Sequence, residues 1–245
     1  MVYALEHTAR WFKTRQKIVV ITGAGMSTES GIPDFRSSTG LYHAGGGNQE
    51  VPMEEVLSRS YFNAFPEDFY RKYYDKLLFP DASPNAGHFF LKKLEDDSHE
   101  VTIITQNIDG LHQKAGSSNV LELHGNANKV MTESGRTFSL EEAVRDEAGL
   151  NVNGEWVRPA ITLYGEALDR EVLQKSIQAV NEADILLVMG TSLNVYPAAG
   201  LIYEYNGDKS ILVNKEGTPL SSDFTFVYEG TISKWIEETV SHLKK

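Results

Sequence analysis

Five short runs in which almost every residue is β-branched or apolar constrain this chain more than any other feature. They are "KIVVIT" from Lys17, "VTIIT" from Val101, "DILLVMG" from Asp184, "SILVN" from Ser210 and "FTFVY" from Phe224. A strand that is apolar at every position is covered on both faces, the condition of a parallel sheet with helices above and below it. Helix-period patterns lie between the runs. "SPNAGHFFLKKLEDD" offers Ser83 as a cap, Pro84 at the first helical position, and Phe89, Phe90 and Leu94 on one face. "LDREVLQKSIQAVNEAD", with Leu173, Ile177 and Val180, and "TISKWIEETVSHL" repeat the pattern. This alternation predicts an α/β fold, a Rossmann-like doubly wound parallel sheet.

Two regions break the alternation. Residues 37–82 are aromatic-rich and helical in pattern without a sheet strand, and residues 126–158 are polar, with Gly135, Gly149 and Gly154 as turns. Both read as insertions that form a smaller module. The larger, Rossmann-like unit is expected from 1–36, 83–125 and 159–245, and the smaller from 37–82 and 126–158. A formal charge of −11 over 245 residues argues against non-specific nucleic-acid binding, which needs clustered Lys and Arg. The chain has no cysteine, no apolar run long enough to span a membrane, and an opening stretch, "MVYALEHTARWF", without the marks of a secretory signal. A monomeric cytoplasmic protein with neither nucleic-acid nor membrane partners is the expectation.

The first chemistry-bearing stretch, "VVITGAGMSTESGIPDFR", leaves a strand and turns at Gly23, Ala24 and Gly25. Missing side chains there let backbone N–H groups approach a phosphate near a helix N-terminus. Thr28 stands where the pattern G-x-G-x-x-G has its third glycine, so the loop alone reads equally well as a tight turn. Asp34, Phe35 and Arg36 follow; Phe35 suits the cover of a planar ring and Arg36 a phosphate or ribose, or else they are core and surface charge. The second stretch, "TQNIDGLHQKAG", begins at the carboxyl end of a strand, where open α/β sheets place ligands. Gln106, Asn107 and Asp109 leave a buried strand and must meet a ligand or one another. His112 reads as structural, hydrogen-bonding within its loop, while His124, between a short apolar segment and Gly125, takes its role from context.

"GAGMSTESGIPDFR", "TQNIDGLH", "ELHG", "RPAITLYGE", "GTSLNVYPAAG" and "LVNKE" together resemble, in order and spacing, the sirtuins of bacterial type, which are NAD-dependent protein lysine deacylases. The resemblance runs from about Lys17 to the C-terminus. It implies NAD as cofactor, acylated lysine side chains of proteins as substrate, and nicotinamide, O-acyl-ADP-ribose and free lysine as products. Gly23, Ala24, Gly25, Thr28, Asp34, Phe35 and Arg36 would line the NAD pocket, with Gly190, Thr191, Ser192, Asn214 and Ile232 around phosphates and adenosine ribose. Ile108 and Asp109 would hold the nicotinamide amide, Gln106 and Asn107 its ribose, and His124 would be the general base, with Asn107 and Asp109 as its catalytic companions. An imidazole of unperturbed pKa about 6.5 suits that role near neutral pH. Thr162, Tyr164, Gly165, Glu166, Leu193, Asn194 and Val195 would border an acyl-lysine peptide that pairs as an extra strand between the segments "YGEAL" and "SLNVYP".

The chain departs from that family's pattern in three places. Thr132, Gly135, Leu150 and Asn153 occupy the positions of four zinc cysteines, so the module is expected to lack its structural zinc and to be packed by Val130, Met131, Phe138, Leu140, Val144, Leu150 and Trp156. Ala160 stands where the "RPD" element commonly has an acid. Tyr74 with Leu77 occupies the place of a tyrosine and arginine pair that selects acidic acyl groups, with Arg71 one turn earlier as the alternative cation; acetyl or longer apolar groups are the expected substrates. Two other readings stand beside deacylation: protein ADP-ribosyl transfer, and a non-catalytic NAD or ADP-ribose binding module. A nicotinamide dehydrogenase fits the irregular glycine pattern poorly.

Overall fold

The computed structural model describes residues 2–35, 37, 40–41, 51–146 and 149–244. In chain order the elements are α1 (Val2–Ala9), β1 (Lys17–Thr22), α2 (Met53–Val56), α3 (Arg59–Ala64), α4 (Pro66–Lys76), α5 (Ala86–Asp96), β2 (Glu100–Thr105) and α6 (Leu111–Lys114). They continue with β3 (Val120–Glu122), β4 (Gly125–Met131), β5 (Thr137–Ser139), β6 (Val144–Asp146), β7 (Gly149–Val152) and β8 (Glu155–Ile161). The last are α7 (Arg170–Asn181), β9 (Ile185–Met189), β10 (Ser210–Asn214), β11 (Phe226–Glu229) and α8 (Ile232–Leu243).

Six strands form a sheet in the order β11-β10-β9-β1-β2-β3, with every pair parallel. Successive residues of β1 face opposite sides, as the pleat requires. Ile18 and Val20 join Phe90, Leu91 and Trp235 in one core, and Val19 and Ile21 join Val180, Leu186 and Leu201 in another. Helices α1, α5 and α8 cover the first face and α7 the second, so the five apolar runs are buried on both sides. The chain leaves β1 toward β2 and re-enters beside β1 at β9. The strand order thus reverses there, the place where doubly wound sheets hold ligands. Among the described residues no helix is long and apolar enough to cross a membrane.

The polar insertion is a second sheet, order β5-β4-β8-β7-β6, antiparallel in every pair. Its buried face meets the aromatic helices: Phe62, Phe69, Tyr70 and Tyr73 pack with Val130, Leu150, Val152 and Val157. The turns at Gly135 and Gly154 were legible, whereas Gly149 begins β7; the strands were not legible, because their apolar residues face one side only and β4 is interrupted by a register shift between Gly125 and Val130.

Three packing expectations change. The cap of α5 is Asn85, not Ser83, because the Asn85 side chain accepts from Gly87 N–H and His88 Nδ1 accepts from Asn85 N–H, closing a reciprocal box. Phe89 is 53% exposed, and Leu91 takes its expected place in the core beside Phe90 and Leu94. In the small module Val130 and Leu150 are buried as expected, but Val144, on edge strand β6, and Trp156, which alternates with buried Val157 on β8, are exposed.

Candidate active site

The turn at Gly23, Ala24 and Gly25 sits at the carboxyl end of β1, against the turn that ends β9. Gly25 N–H donates to the Gly190 carbonyl at 2.8 Å, and Gly23 N–H to that of Met189 at 3.2 Å. A Cβ on Gly25 would lie 2.8 Å from Gly190 Cα, and one on Gly190, whose φ is +60°, would lie 2.3 Å from Met26 N. The glycines therefore serve a backbone-to-backbone contact across the strand-order reversal. This corrects the expectation in one respect: Gly25 N–H is bonded to Gly190 and is not turned to a phosphate. No long helix starts at the loop either; Ala24–Met26 and Thr28–Ser30 are separate 3-10 turns. Thr28 donates its hydroxyl to the Gly25 carbonyl at 3.0 Å, closing the turn where a third glycine was absent.

The polar residues after β2 meet one another and this loop. Gln106 Nε2 donates to Thr191 Oγ1 at 3.2 Å. Asn107 Nδ2 donates to the Gly23 carbonyl at 3.0 Å and to Ser27 Oγ at 3.2 Å, and Ser27 Oγ donates to Asp109 Oδ2 at 2.6 Å. Asp109 also accepts from Leu111 N–H. Burial raises the Asp109 carboxyl above its ordinary value, while the bonds from Ser27 and Leu111 act the other way. Asn128 holds the same segment from the small sheet, donating to the Asp109 carbonyl at 3.0 Å. Neither Ser27 nor Asn128 stood out in the sequence. Only the hydroxyl in the glycine turn hinted at Ser27, whose partner lies 82 residues away.

His124 follows β3 and precedes β4, so it stands where the chain passes from one sheet to the other. Gly125, at φ +77°, lies so close to the Ala160 carbonyl that a Cβ would come within 2.1 Å of that oxygen. Thr162 N–H donates to the His124 carbonyl at 2.9 Å, tying β8 to the same point. His124 Nδ1 is 3.0 Å from the Gln106 carbonyl. Since a carbonyl only accepts, Nδ1 carries the ring proton and Nε2 is left as the basic nitrogen. Burial lowers the imidazole below its ordinary value, and the Gln106 bond opposes that shift.

Two sets of hydrogen bonds, His124–Gln106–Thr191 and Gly23–Asn107–Ser27–Asp109, thus meet at the adjacent residues Gln106 and Asn107. Other expected residues stand further out. Asp34 accepts from Ser37 N–H, Phe35 and Ile108 pack against the core of the small module, and Arg36 lies outside the described residues. Ser192 is half-buried beside Thr191, and Asn214 ends β10 with its amide donating to the Glu216 carbonyl. Ile232 and Leu193 are core residues, so their side chains are turned into the protein; Leu193 has a left-handed backbone, φ +54°. Asn194 is exposed and Val195 half-buried.

Thr162, Tyr164, Gly165 and Glu166 form the turn after β8. Tyr164 donates its N–H to the Leu57 carbonyl and accepts from Arg59 N–H, while Leu163 and Glu166 bond to one another. The expected open strand edge is therefore not found at Tyr164, whose backbone N–H and carbonyl are both engaged. Glu166 Oε1 takes both Arg59 and Arg158, each at 3.0 Å, which anchors the turn. Leu77, which caps the C-terminus of α4, is buried, and Arg71, within α4, is exposed and paired with Asp68. The cation beside Tyr74 is instead Arg145, whose guanidinium carbon is 5.6 Å from the ring centre and 6.0 Å from that of Tyr70.

The residues at the four former cysteine positions do not fit a zinc ion. Thr132 caps a turn, its hydroxyl accepting from Arg136 N–H and sharing a bond with Ser134; Leu150 is core; Asn153 and Gly154, at φ +53° and +80°, make a two-residue hairpin turn. An Arg136–Glu155 ion pair joins the two turns. None of these groups is a thiolate or an imidazole. At the strand-order reversal, where sheets of this kind hold dinucleotides, Gly23, Gly25 and Gly190 present backbone and no side chain, which is compatible with such a ligand.

Comparison with known proteins matches this geometry. The model of the Sir2 family fits residues 23–197. A curated protein of Clostridium acetobutylicum, an NAD-dependent protein deacetylase, is 45% identical over 91% of this chain and 92% of its own. One of the same name from Staphylococcus aureus is 40% identical over 93% and 94%. Among solved structures, a Sir2 homologue in complex with NAD superposes with a TM-score of 0.81 at 31% identity, covering 99% of this chain and 93% of that one. A Sir2 bound to acetylated peptide does so with 0.82 at 30%, covering 98% of each. The chain belongs to the Sir2 family.

Proposed function

We propose that this chain is an NAD-dependent protein lysine deacylase, with acetyl-lysine as the principal substrate. The observation that carries the reading is the His124–Gln106 bond, which fixes the ring tautomer and leaves Nε2 as the base. NAD, when bound, supplies the ribosyl carbon that takes the acyl oxygen as nicotinamide leaves. Gly23, Gly25 and Gly190 keep the phosphate side of the cleft open, with Thr191 and Ser192 at its rim. Asn107 and Gln106 orient the nicotinamide ribose, and Asp109, held by Ser27, meets the carboxamide. His124 Nε2 takes a proton from a ribose hydroxyl. Thr162 to Glu166 and Leu193 to Val195 flank the acyl-lysine, and the apolar lining from Phe35 and Ile108 suits an uncharged acyl chain. Water then breaks the bond from the acyl carbon to the lysine nitrogen, and the products are nicotinamide, O-acyl-ADP-ribose and free lysine.

The larger unit, 1–36, 83–125 and 159–245, holds NAD in this reading, and 37–82 with 126–158 form the zinc-free module. We assign it as a cytoplasmic monomer whose partners are acylated proteins and not nucleic acid or membrane. Incubation with NAD and an acetyl-lysine peptide tests the function: deacetylated peptide and nicotinamide appear in equal amounts. ADP-ribose attached to protein would instead identify a transferase, and no turnover a binding module.

A further inference from the structure

Two histidines lie beneath the cleft, outside the roles assigned above. His88, in the first turn of α5, is 0% exposed and His112, in α6, is 1% exposed; their ring centres are 4.8 Å apart with the planes tilted by 58°. Each has one nitrogen, His88 Nε2 and His112 Nδ1, that is buried without a hydrogen-bond partner among the described residues.

The bonds of the other nitrogens fix both tautomers. Asn85 N–H donates to His88 Nδ1 at 3.2 Å, so Nδ1 is bare and the proton of the neutral ring is on Nε2. Thr22 donates its hydroxyl proton to Thr105 Oγ1 at 2.9 Å, so at 3.0 Å from Thr22 Oγ1 the His112 Nε2 must be the donor. Its proton is then on Nε2 and its Nδ1 is bare. The two orphan atoms are complementary, a donor on His88 and an acceptor on His112. Burial holds both rings neutral, pushing His88 down to about 4 and His112 to about 3.

Both ends of this arrangement reach the cleft. Asn85 Nδ2 donates to the Met26 carbonyl at 2.8 Å and to Ser30 Oγ at 3.0 Å, on the glycine loop. At the other end Thr105 Oγ1 accepts from Asn107 N–H at 3.0 Å. We propose that His88 Nε2–H and His112 Nδ1, complementary atoms that the structure leaves unbonded on rings 4.8 Å apart, close onto one another by a small ring shift. They then act as a neutral positioning pair, one directed chain running Asn85, His88, His112, Thr22, Thr105 that sets Asn107 relative to the glycine loop. The proposal rests on the assignment of Asn107 to the nicotinamide ribose. Imidazole serves here for a reason apart from acid–base chemistry: it passes a hydrogen bond through a buried layer without a charge.

The tautomers are read directly by nitrogen NMR of histidine-labelled protein. Both side chains should be neutral Nε2–H rings from pH 8 down to about 5. An Nδ1–H tautomer at either position, or an imidazolium at pH 6, overturns the chain of bonds. Thr22→Val removes the central hydroxyl and keeps the side-chain shape. It should lower kcat for nicotinamide release on the order of 10-fold to 100-fold with little change in KM for the peptide. His112→Phe should do the same, and His112→Gln, which returns a donor near Nε2, should recover most of the rate. Folded Thr22→Val protein with unaltered kcat overturns the positioning role. Wild-type protein that releases no nicotinamide would sink the deacylase reading, while the tautomer measurement still decides the pair.

Discussion

His124 Nδ1 and the Gln106 carbonyl are 3.0 Å apart, so the residue that offers a base at one nitrogen is aimed by a backbone group of the segment it serves. His124→Ala should leave NAD affinity, measured by calorimetry, near wild type and cut turnover by about two to four orders of magnitude. Protonation removes the base, and burial places the folded value below the ordinary one. The acid limb of the rate profile should therefore lie below about pH 6.5, with activity falling as pH drops through it. A limb above that value contradicts a buried neutral imidazole.

The buried histidine pair also makes stability depend on pH. Both rings are neutral when folded and take up protons once unfolded below about pH 6.5, so the unfolded state binds more protons there. Stability is fully present above that value and declines as pH falls toward about 4 for His88 and about 3 for His112. Each should contribute a loss of about 1.4 kcal/mol per pH unit within its window. Urea unfolding at pH 7.5, 6 and 5 measures the slope, and replacing His112 should reduce it. A flat profile over this range rules out neutral burial.

Gly190→Ala should damage both fold and cofactor binding. Its left-handed backbone alone costs about 1–2 kcal/mol with a side chain present. The added Cβ, 2.3 Å from Met26 N, must also push the glycine loop away. Thermal unfolding and NAD titration should both report the change. Wild-type NAD affinity in this variant would refute the close backbone contact as a determinant of the site.

Purified protein should carry negligible zinc by elemental analysis and keep its activity in chelator. The small module depends instead on packing, and Leu150, 1% exposed at a former ligand position, is its clearest test. Leu150→Ala should destabilise by about 2–5 kcal/mol. Stoichiometric zinc, or a neutral Leu150→Ala, contradicts a module held by apolar burial.

The parallel sheet was legible because burial on both faces leaves the interior of β1, Ile18 to Ile21, and all of β9 apolar. The second sheet was not, because strands such as β4 carry exposed Asn128 and Lys129 beside buried Ala127 and Val130 and so read as loop. Helix α5 was read correctly as a helix, but two caps were available within three residues, and only the Asn85–His88 box in three dimensions decides between them. Within the site, Gln106, Asn107, Asp109 and His124 announced themselves as polar residues beside apolar strands. Ser27 did not, since what makes it part of the site is Asp109, far along the chain. His112 was read as structural; its link to the end of β1 lies in Thr22, an unremarkable strand residue.

The turns at Thr132–Gly135 and Asn153–Gly154 are closed by hydroxyl, amide and ion-pair contacts, none of which involves a thiolate. Peroxide that carries a zinc-bound thiolate to sulfenic acid ejects the ion and opens the ribbon it held. A chain without cysteine has no such fuse. Its small module holds no thiolate–metal link for an oxidant to break, and the cleft it borders does not depend on one.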